Sequence, residues 1–212
     1  MACDTTIRVV KLRPADQEGI FTQKAIDKAG CSFVQLEFPD GVTLERRMHM
    51  LASGQLDLII GVNIRPEREA IAHFSVPIKE ELVRLWVRKE DLEKYSKSDL
   101  KSILATGATI LAPDAGWYGP EFDEIRTTSK QIVLFSHIKH GVNLLLKERG
   151  DLLLGADNFE QFFLPEEKEQ LATLPLILNK DYLRLMYSKV TVPMETVKLI
   201  DKAILELREE NK

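Results

Sequence analysis

Apolar residues along the chain fall into two alternating rhythms. Short runs of strand character, TIRVVKL (6–12), SFVQLEF (32–38) and LDLIIG (56–61), are separated by stretches whose apolar positions return every three or four residues. The first such stretch, EGIFTQKAIDKAG (18–30), predicts a helix closed by Gly30 just past its last turn. TLERRMHMLASG (43–54) predicts a second, opened by Thr43 as N-cap and stopped by Gly54. The rhythm continues with ATILAP (108–113), QIVLF (131–135) and DLLLGAD (151–157) as strands. PEFDEIRT (120–127) and SHIKHGVNLLLKERG (136–150) read as helices, the latter capped by Ser136. At the C terminus METVKLIDKAILELREE (194–210) sets Val197, Ile200, Ile204 and Leu207 on one helical face. Strands alternating with helices predict an α/β fold with parallel sheet.

One internal echo stands out. LASGQLDLIIG (51–61) and LLKERGDLLLG (145–155) both run helix, glycine, aspartate, apolar strand, glycine. Either the chain holds two similar α/β units, with strands ending at Gly61 and Gly155, or this is the helix–glycine–strand succession common to any α/β protein. The first reading matters for function, because open α/β sheets bind ligands outside the carboxyl ends of their strands.

Composition narrows the classes. A chain of 212 residues, 44% hydrophobic, builds one large domain or two small lobes. A net charge of -4 offers no basic field for nucleic acid or an anionic membrane. No apolar run reaches the roughly 18 residues that span a bilayer. The opening MACDTTIRVV shows no signal peptide and suits both a secreted chain whose signal has been removed and a cytosolic one.

Candidate chemistry gathers after the two echo glycines. Gly61 leaves the backbone open to close approach, Asn63 offers a donor and an acceptor, and Arg68 presents a planar fork suited to a carboxylate or phosphate. Arg65 adds a second charge or points to solvent, and both arginines also have Glu67 and Glu69 within reach for surface ion pairs. In the second unit Gly155 leads to Asp157 and Asn158. Asp157 either accepts hydrogen bonds from an ammonium or caps the following NFEQFF. Between strand and helix, DAGWYGPEF combines glycines, a helix start at Pro120 and the aromatics Trp117 and Tyr118. These two are an apolar wall with a polar handle or packed loop aromatics. No GxSxG, P-loop, GxGxxG or HExxH is present. His137 and His140 have metal-ligand spacing but no partner at convincing distance in sequence, so no metal and no cofactor are expected.

The segment MLASGQLDLIIGVNIRPEREAIAHFSVPI (50–78) resembles the signature of the family 3 bacterial extracellular solute-binding proteins. VRLWVRKEDLE resembles that family's strand into the second lobe, and LRLMYSKVTVPMETVKLIDKAILEL its return strand and final helix. The resemblance implies a periplasmic-binding-protein-like α/β fold of two lobes joined by two hinge strands, with an interlobe ligand cleft. It further implies a monomeric, periplasmic protein that captures an amino acid or other small anionic or zwitterionic solute for a transporter or sensor. Arg68 matches the arginine that clamps the solute carboxylate, Gly61 and Asn63 match ligand-bonding positions, and Asp157 falls within one residue of the aspartate that takes the ammonium. Three departures accompany the match. Asn63 replaces a serine or threonine, His73 replaces an aspartate, and Trp117 and Tyr118 stand where the family has a Ser/Thr-rich loop.

From this follow a first lobe of residues 1–85 plus 182–212, a second of 86–181, and a C-terminal helix packed on the first. Two other functional classes stay open: a dehydratase-like enzyme on the same scaffold, and a degenerate sensor-type domain without a small ligand. Cys3 and Cys31 precede the first two strands. If these strands are parallel neighbours about 4.8 Å apart, both cysteines lie at one sheet edge and a bond is permitted. A frayed Cys3, a lipid-anchored N-terminus and a buried free thiol are the alternatives.

Overall fold

The computed structural model describes residues 3–12, 16–38 and 42–210. In chain order the elements are β1 (Thr6–Val10), α1 (Gln17–Lys28), β2 (Ser32–Leu36), α2 (Leu44–Ala52), β3 (Leu58–Val62), α3 (Pro66–Glu69) and β4 (Ala72–Phe74). There follow β5 (Lys79–Arg88), α4 (Leu92–Tyr95), α5 (Leu100–Ala105), β6 (Ile110–Pro113), α6 (Pro120–Arg126) and β7 (Ile132–Phe135). The chain ends with α7 (Ile138–Leu146), β8 (Leu152–Ala156), α8 (Pro165–Gln170), β9 (Leu171–Ser188) and α9 (Met194–Glu210). The described chain divides into two compact units, Met1–Glu80 with Tyr182–Lys212, and Glu81–Asp181. Both divisions fall inside long strands, β5 and β9.

In the first unit β1 lies between β2 and β3 and runs parallel to both, Thr6 facing Ser32 and Val9 facing Leu58. The last residues of β9 pair antiparallel with β3 on one side and with β4 on the other. One core joins Ile7 and Leu58 to Ala25 and Ile26 of α1 and to Val197, Ile200 and Ile204 of α9. On the other face Ile59 and Met186 meet Leu51 and Leu56. The alternation of Leu58 and Ile59 between two cores is the period-2 rule for a strand covered on both faces.

The helices stop where their glycines dictate. At the end of α1 the Gly30 amide donates to Asp27 and the Cys31 amide to Ile26, at 2.9 and 3.1 Å. At the end of α2 the Gly54 amide donates to Leu51 and the Gln55 amide to Met50. This pair of closures requires a left-handed residue, and φ is +77° at Gly30 and +73° at Gly54. Closure of α1 delivers Cys31 to the start of β2. There it is bonded to Cys3, the two Cα atoms lying 4.8 Å apart across neighbouring parallel strands.

The second unit repeats the plan. β6 lies between β7 and β8 and runs parallel to both, and β5 pairs antiparallel with β8, Val83 facing Ala156. Leu152 and Leu154 join Ile110, Ile103 and Phe122 on one face, while Leu153 joins Leu111, Val142 and Leu145 on the other. One expectation is corrected here. Ser136 does not cap α7: the cap position is His137, whose carbonyl takes the first amides, from His140 at 2.8 Å and Gly141 at 3.2 Å. With the helical ladder starting there, the Ser136 hydroxyl is one residue too early to reach it. The helix also stops earlier than the pattern suggests. It closes at Leu146 with Glu148, at φ +56°, in the left-handed position that glycine holds after α2.

Candidate functional site

The first group of candidate residues is set by an irregularity in β3. Its register against β9 shifts between Ile60, opposite Leu185, and Val62, opposite Arg184. The residue at the shift is Gly61, at φ +74°, and a Cβ there would meet nothing within 4 Å. Glycine is needed here for the backbone angle, and the space above it is open. The bulge turns the chain out of the sheet into Asn63 and then α3, whose first residue Pro66 has the fixed φ of a helix start. From α3, Arg68 reaches back and its Nη1 donates to the Asn63 carbonyl at 2.9 Å. Arg65 lies just before the helix, with Nη1 on the Ile64 carbonyl at 2.7 Å. One short loop therefore carries two half-buried guanidinium groups braced by its own carbonyls.

The aspartate of the echo serves the fold. Asp57 is 2% exposed and takes the Arg8 amide at 2.8 Å, Arg8 Nε and Nη2 at 2.7 Å each, and the Thr191 hydroxyl. Burial pushes its carboxyl up, but the Arg8 and Thr191 hydrogen bonds prevail and hold it below the usual carboxylate range. His73 sits in β4, where burial first and then the Lys189 charge lower its basicity.

In the second unit Asp157 follows β8 directly and opens a 3-10 turn, Asp157–Phe162. The cap position of that turn is Ala156 rather than Asp157, and the Asp157 Oδ1 is buried with no partner among the described residues. A buried carboxylate oxygen left unsatisfied costs about 1–3 kcal/mol, more if the group is charged. The Asn158 side chain lies outside the described residues.

The loop from Asp114 to Gly119 carries Trp117 and Tyr118. Trp117 is 37% exposed. Tyr118 turns inward: its hydroxyl donates to the Ala115 carbonyl at 3.1 Å, and its ring meets Phe122 edge-on at 6.4 Å. Burial pushes the Tyr118 hydroxyl well up, so it is a neutral donor at any ordinary pH. Behind the loop, Arg126 of α6 donates to the carbonyls of Pro113 at 2.8 Å, Gly116 at 2.9 Å and Asp114. Sequence reasoning missed Arg126 entirely, since an arginine in the last turn of a short helix carries no signal of a tertiary role. An open depression of about 680 Å³ beside it is lined by Asp114, Asp123, Arg126, Thr127 and Leu134. It includes none of the residues expected from sequence.

The structure thus places Gly61, Asn63 and Arg68 together in the first unit, and Trp117, Tyr118 and Asp157 in the second, at the carboxyl ends of β6 and β8. His137 and His140 are exposed. Among the described residues no cluster of His, Cys, Asp and Glu could hold a metal ion, and no helix is long and apolar enough to cross a membrane.

Two α/β units linked through two long strands, with polar groups at their strand ends, define the periplasmic-binding-protein fold. The chain belongs to the bacterial extracellular solute-binding proteins, family 3, which it matches over residues 21–212. Solved structures agree on the fold. An amino acid ABC transporter substrate-binding protein from Streptococcus pneumoniae, bound to L-arginine, superposes with a TM-score of 0.75 at 20% identity, covering 98% of this chain and 89% of that one. The GluR0 ligand-binding core from Nostoc punctiforme, in complex with L-glutamate, gives 0.71 at 17% identity, covering 98% and 93%. A histidine kinase sensor domain with similarity to periplasmic binding proteins gives 0.72 at 15% identity, covering 98% and 91%. A comparison with curated protein sequences finds no match.

Proposed function

We propose that this protein captures an amino-acid-like solute in the periplasm by closure of its two units about β5 and β9, and delivers it to a transporter or a sensor. The observation that carries the reading is Asp157: a buried carboxylate oxygen at a strand end, with no hydrogen-bond partner among the described residues, suits an ammonium group. Arg68 supplies the opposite charge, its Nη1 braced on the Asn63 carbonyl beside the open backbone at Gly61. A carboxylate suits Arg68 and an ammonium suits Asp157, and an amino acid carries both groups. The solved neighbours in complex with L-arginine and L-glutamate support that class, and the transporter and kinase neighbours support both kinds of partner.

A thermal-shift panel of the common L-amino acids and small organic acids tests this. A stabilising shift confined to amino acids is expected, because a solute that binds only the folded state raises its melting temperature. Shifts with organic acids alone would remove the ammonium from the proposal. Conversion of any panel member would move the protein to the enzymes.

A further inference from the structure

Among the described residues the strands of the second unit end at β7, which pairs with β6 and has no strand on its far side. This edge is unguarded. Ile132–Phe135 is wholly apolar and carries neither a charge nor a proline, and its register with β6 runs without a bulge. Those are the devices that ordinarily keep sheet edges apart. Val133 is 41% and Leu134 49% exposed.

Hydrogen bonding fixes which residues face outward. The Gln131 and Phe135 carbonyls accept from the Ile110 and Asp114 amides on the β6 side, at 2.8 Å each. Alternate residues of a strand turn their backbone groups to opposite neighbours, so Ile132 and Leu134 direct theirs to the open edge. The Ile132 amide has only a long bond to the Ser129 carbonyl, at 3.4 Å.

A second copy related by a two-fold axis at Val133 completes this edge. Antiparallel pairing sets Leu134 against Ile132 of the second copy, the Leu134 amide donating to that carbonyl, and sets Val133 against its own equivalent. The same register brings Lys130 of the second copy beside Ser136, which follows β7 where Asp114 follows β6. Asp114 lines the open depression with Asp123 and Leu134, and the Arg126 guanidinium that shares it is taken up by three carbonyls. Lys130 is exposed, and neither it nor the Asp114 carboxylate has a hydrogen bond or ion pair among the described residues. Charge is therefore complementary across the axis, twice. The edge strand of the first unit, β2, lacks this match. Pairing it about Val34 would set Glu37 against Cys31 of the second copy, and Glu37 is already held by Lys11.

We propose that the protein forms a weak two-fold dimer through its β7 edges, each Lys130 reaching the Asp114 carboxylate of the other copy. Four residues a side fall well short of the roughly 800 Å² per partner of a stable interface, so the contact is transient and depends on concentration. The resemblance to solute-binding proteins implies a monomer, and the dimer is independent of which solute the two units bind.

Sedimentation of the full chain from about 10 μM to about 1 mM, the range in which so small a contact associates, tests this. Wild type should pass from monomer toward dimer as concentration rises, and less so at high salt. Val133→Lys sets two lysines against each other at the axis and should be monomeric throughout. Lys130→Asp and Asp114→Lys each turn both charge pairs from attraction to repulsion and should weaken the dimer about tenfold. Combining the two restores opposite charges and should recover wild-type association. All three positions are exposed, so the substitutions leave the core of the unit untouched. A wild type that stays monomeric would overturn the proposal and leave the edge to a strand of another protein. A dimer indifferent to Val133→Lys, or charge variants that the exchange fails to rescue, would overturn it as well.

Discussion

The two units carry the same short motif for different physical reasons. In each, a helix ends, an aspartate follows, and a strand runs parallel to the unit's central strand and reaches a glycine. Both aspartates tie that strand to its neighbour. The Asp57 amide donates to the Arg8 carbonyl and its Oδ2 takes the Arg8 amide; the Asp151 amide donates to Thr109 and its Oδ2 takes the Thr109 amide at 2.8 Å. Only Asp57 adds a bidentate arginine and a threonine hydroxyl. The glycines diverge further. Gly61 has a left-handed backbone and open space, whereas a Cβ on Gly155 would lie 2.2 Å from the Phe159 ring. One repeated pattern thus marks a bulge that turns the chain toward Asn63 in one unit, and a tight packing contact that orients the chain toward Asp157 in the other.

The largest expected effect separates the aspartates. Asp57→Ala takes the acceptor from the Arg8 amide, the partly exposed Arg8 guanidinium and Thr191 and should lower stability by about 3 kcal/mol, whereas Asp151→Ala, which removes one acceptor of a backbone amide, should cost about 1 kcal/mol. Equal losses in denaturant unfolding would erase the distinction. The same contrast appears with pH. Asp57 binds protons more weakly folded than unfolded, so its stabilisation is complete above the unfolded carboxyl pKa, about 3.9, and is lost as pH falls through the lower folded value. The acid limb of the stability curve should flatten in Asp57→Ala.

The glycines come next. Gly155→Ala should destabilise by about 1–3 kcal/mol, because the Phe159 ring must move, and a Phe159→Leu background should relieve part of that. Gly61→Ala meets no atom and should lose only the backbone term, about 1 kcal/mol. The reverse order of the two would refute the assignment. Smallest of all, Glu148→Gly should raise stability by about 0.5–1 kcal/mol, since Glu148 occupies the left-handed closing position that Gly54 fills in the first unit.

The alternation of elements was legible because each helix and strand carries its own period, and because Gly30 and Gly54 close their helices locally. The amphipathic face of α9 was legible for the same reason: Val197, Ile200 and Ile204 repeat at helical spacing and end in one core. What sequence left open was settled by neighbours distant in the chain. Cys3 and Cys31 needed the parallel pairing of β1 with β2 before they could be joined. Asp157 could be cap or ligand group from sequence alone, and it took the backbone to show that the cap position is Ala156. The closure of α7 on a glutamate, and the grip of Arg126 on the Pro113, Asp114 and Gly116 carbonyls, depend on tertiary geometry that no local pattern encodes.

The most direct test of the account lies at Asp157. Calorimetry should compare wild type with Asp157→Asn, each titrated with the amino acid giving the largest thermal shift and with its analogue lacking the amino group. A buried, charge-assisted contact should make Asp157→Asn weaker for the amino acid by about 2–5 kcal/mol, and should leave the two proteins alike for the analogue. Equal affinity of both proteins for the amino acid would contradict the claim that the orphaned oxygen of Asp157 holds the solute ammonium.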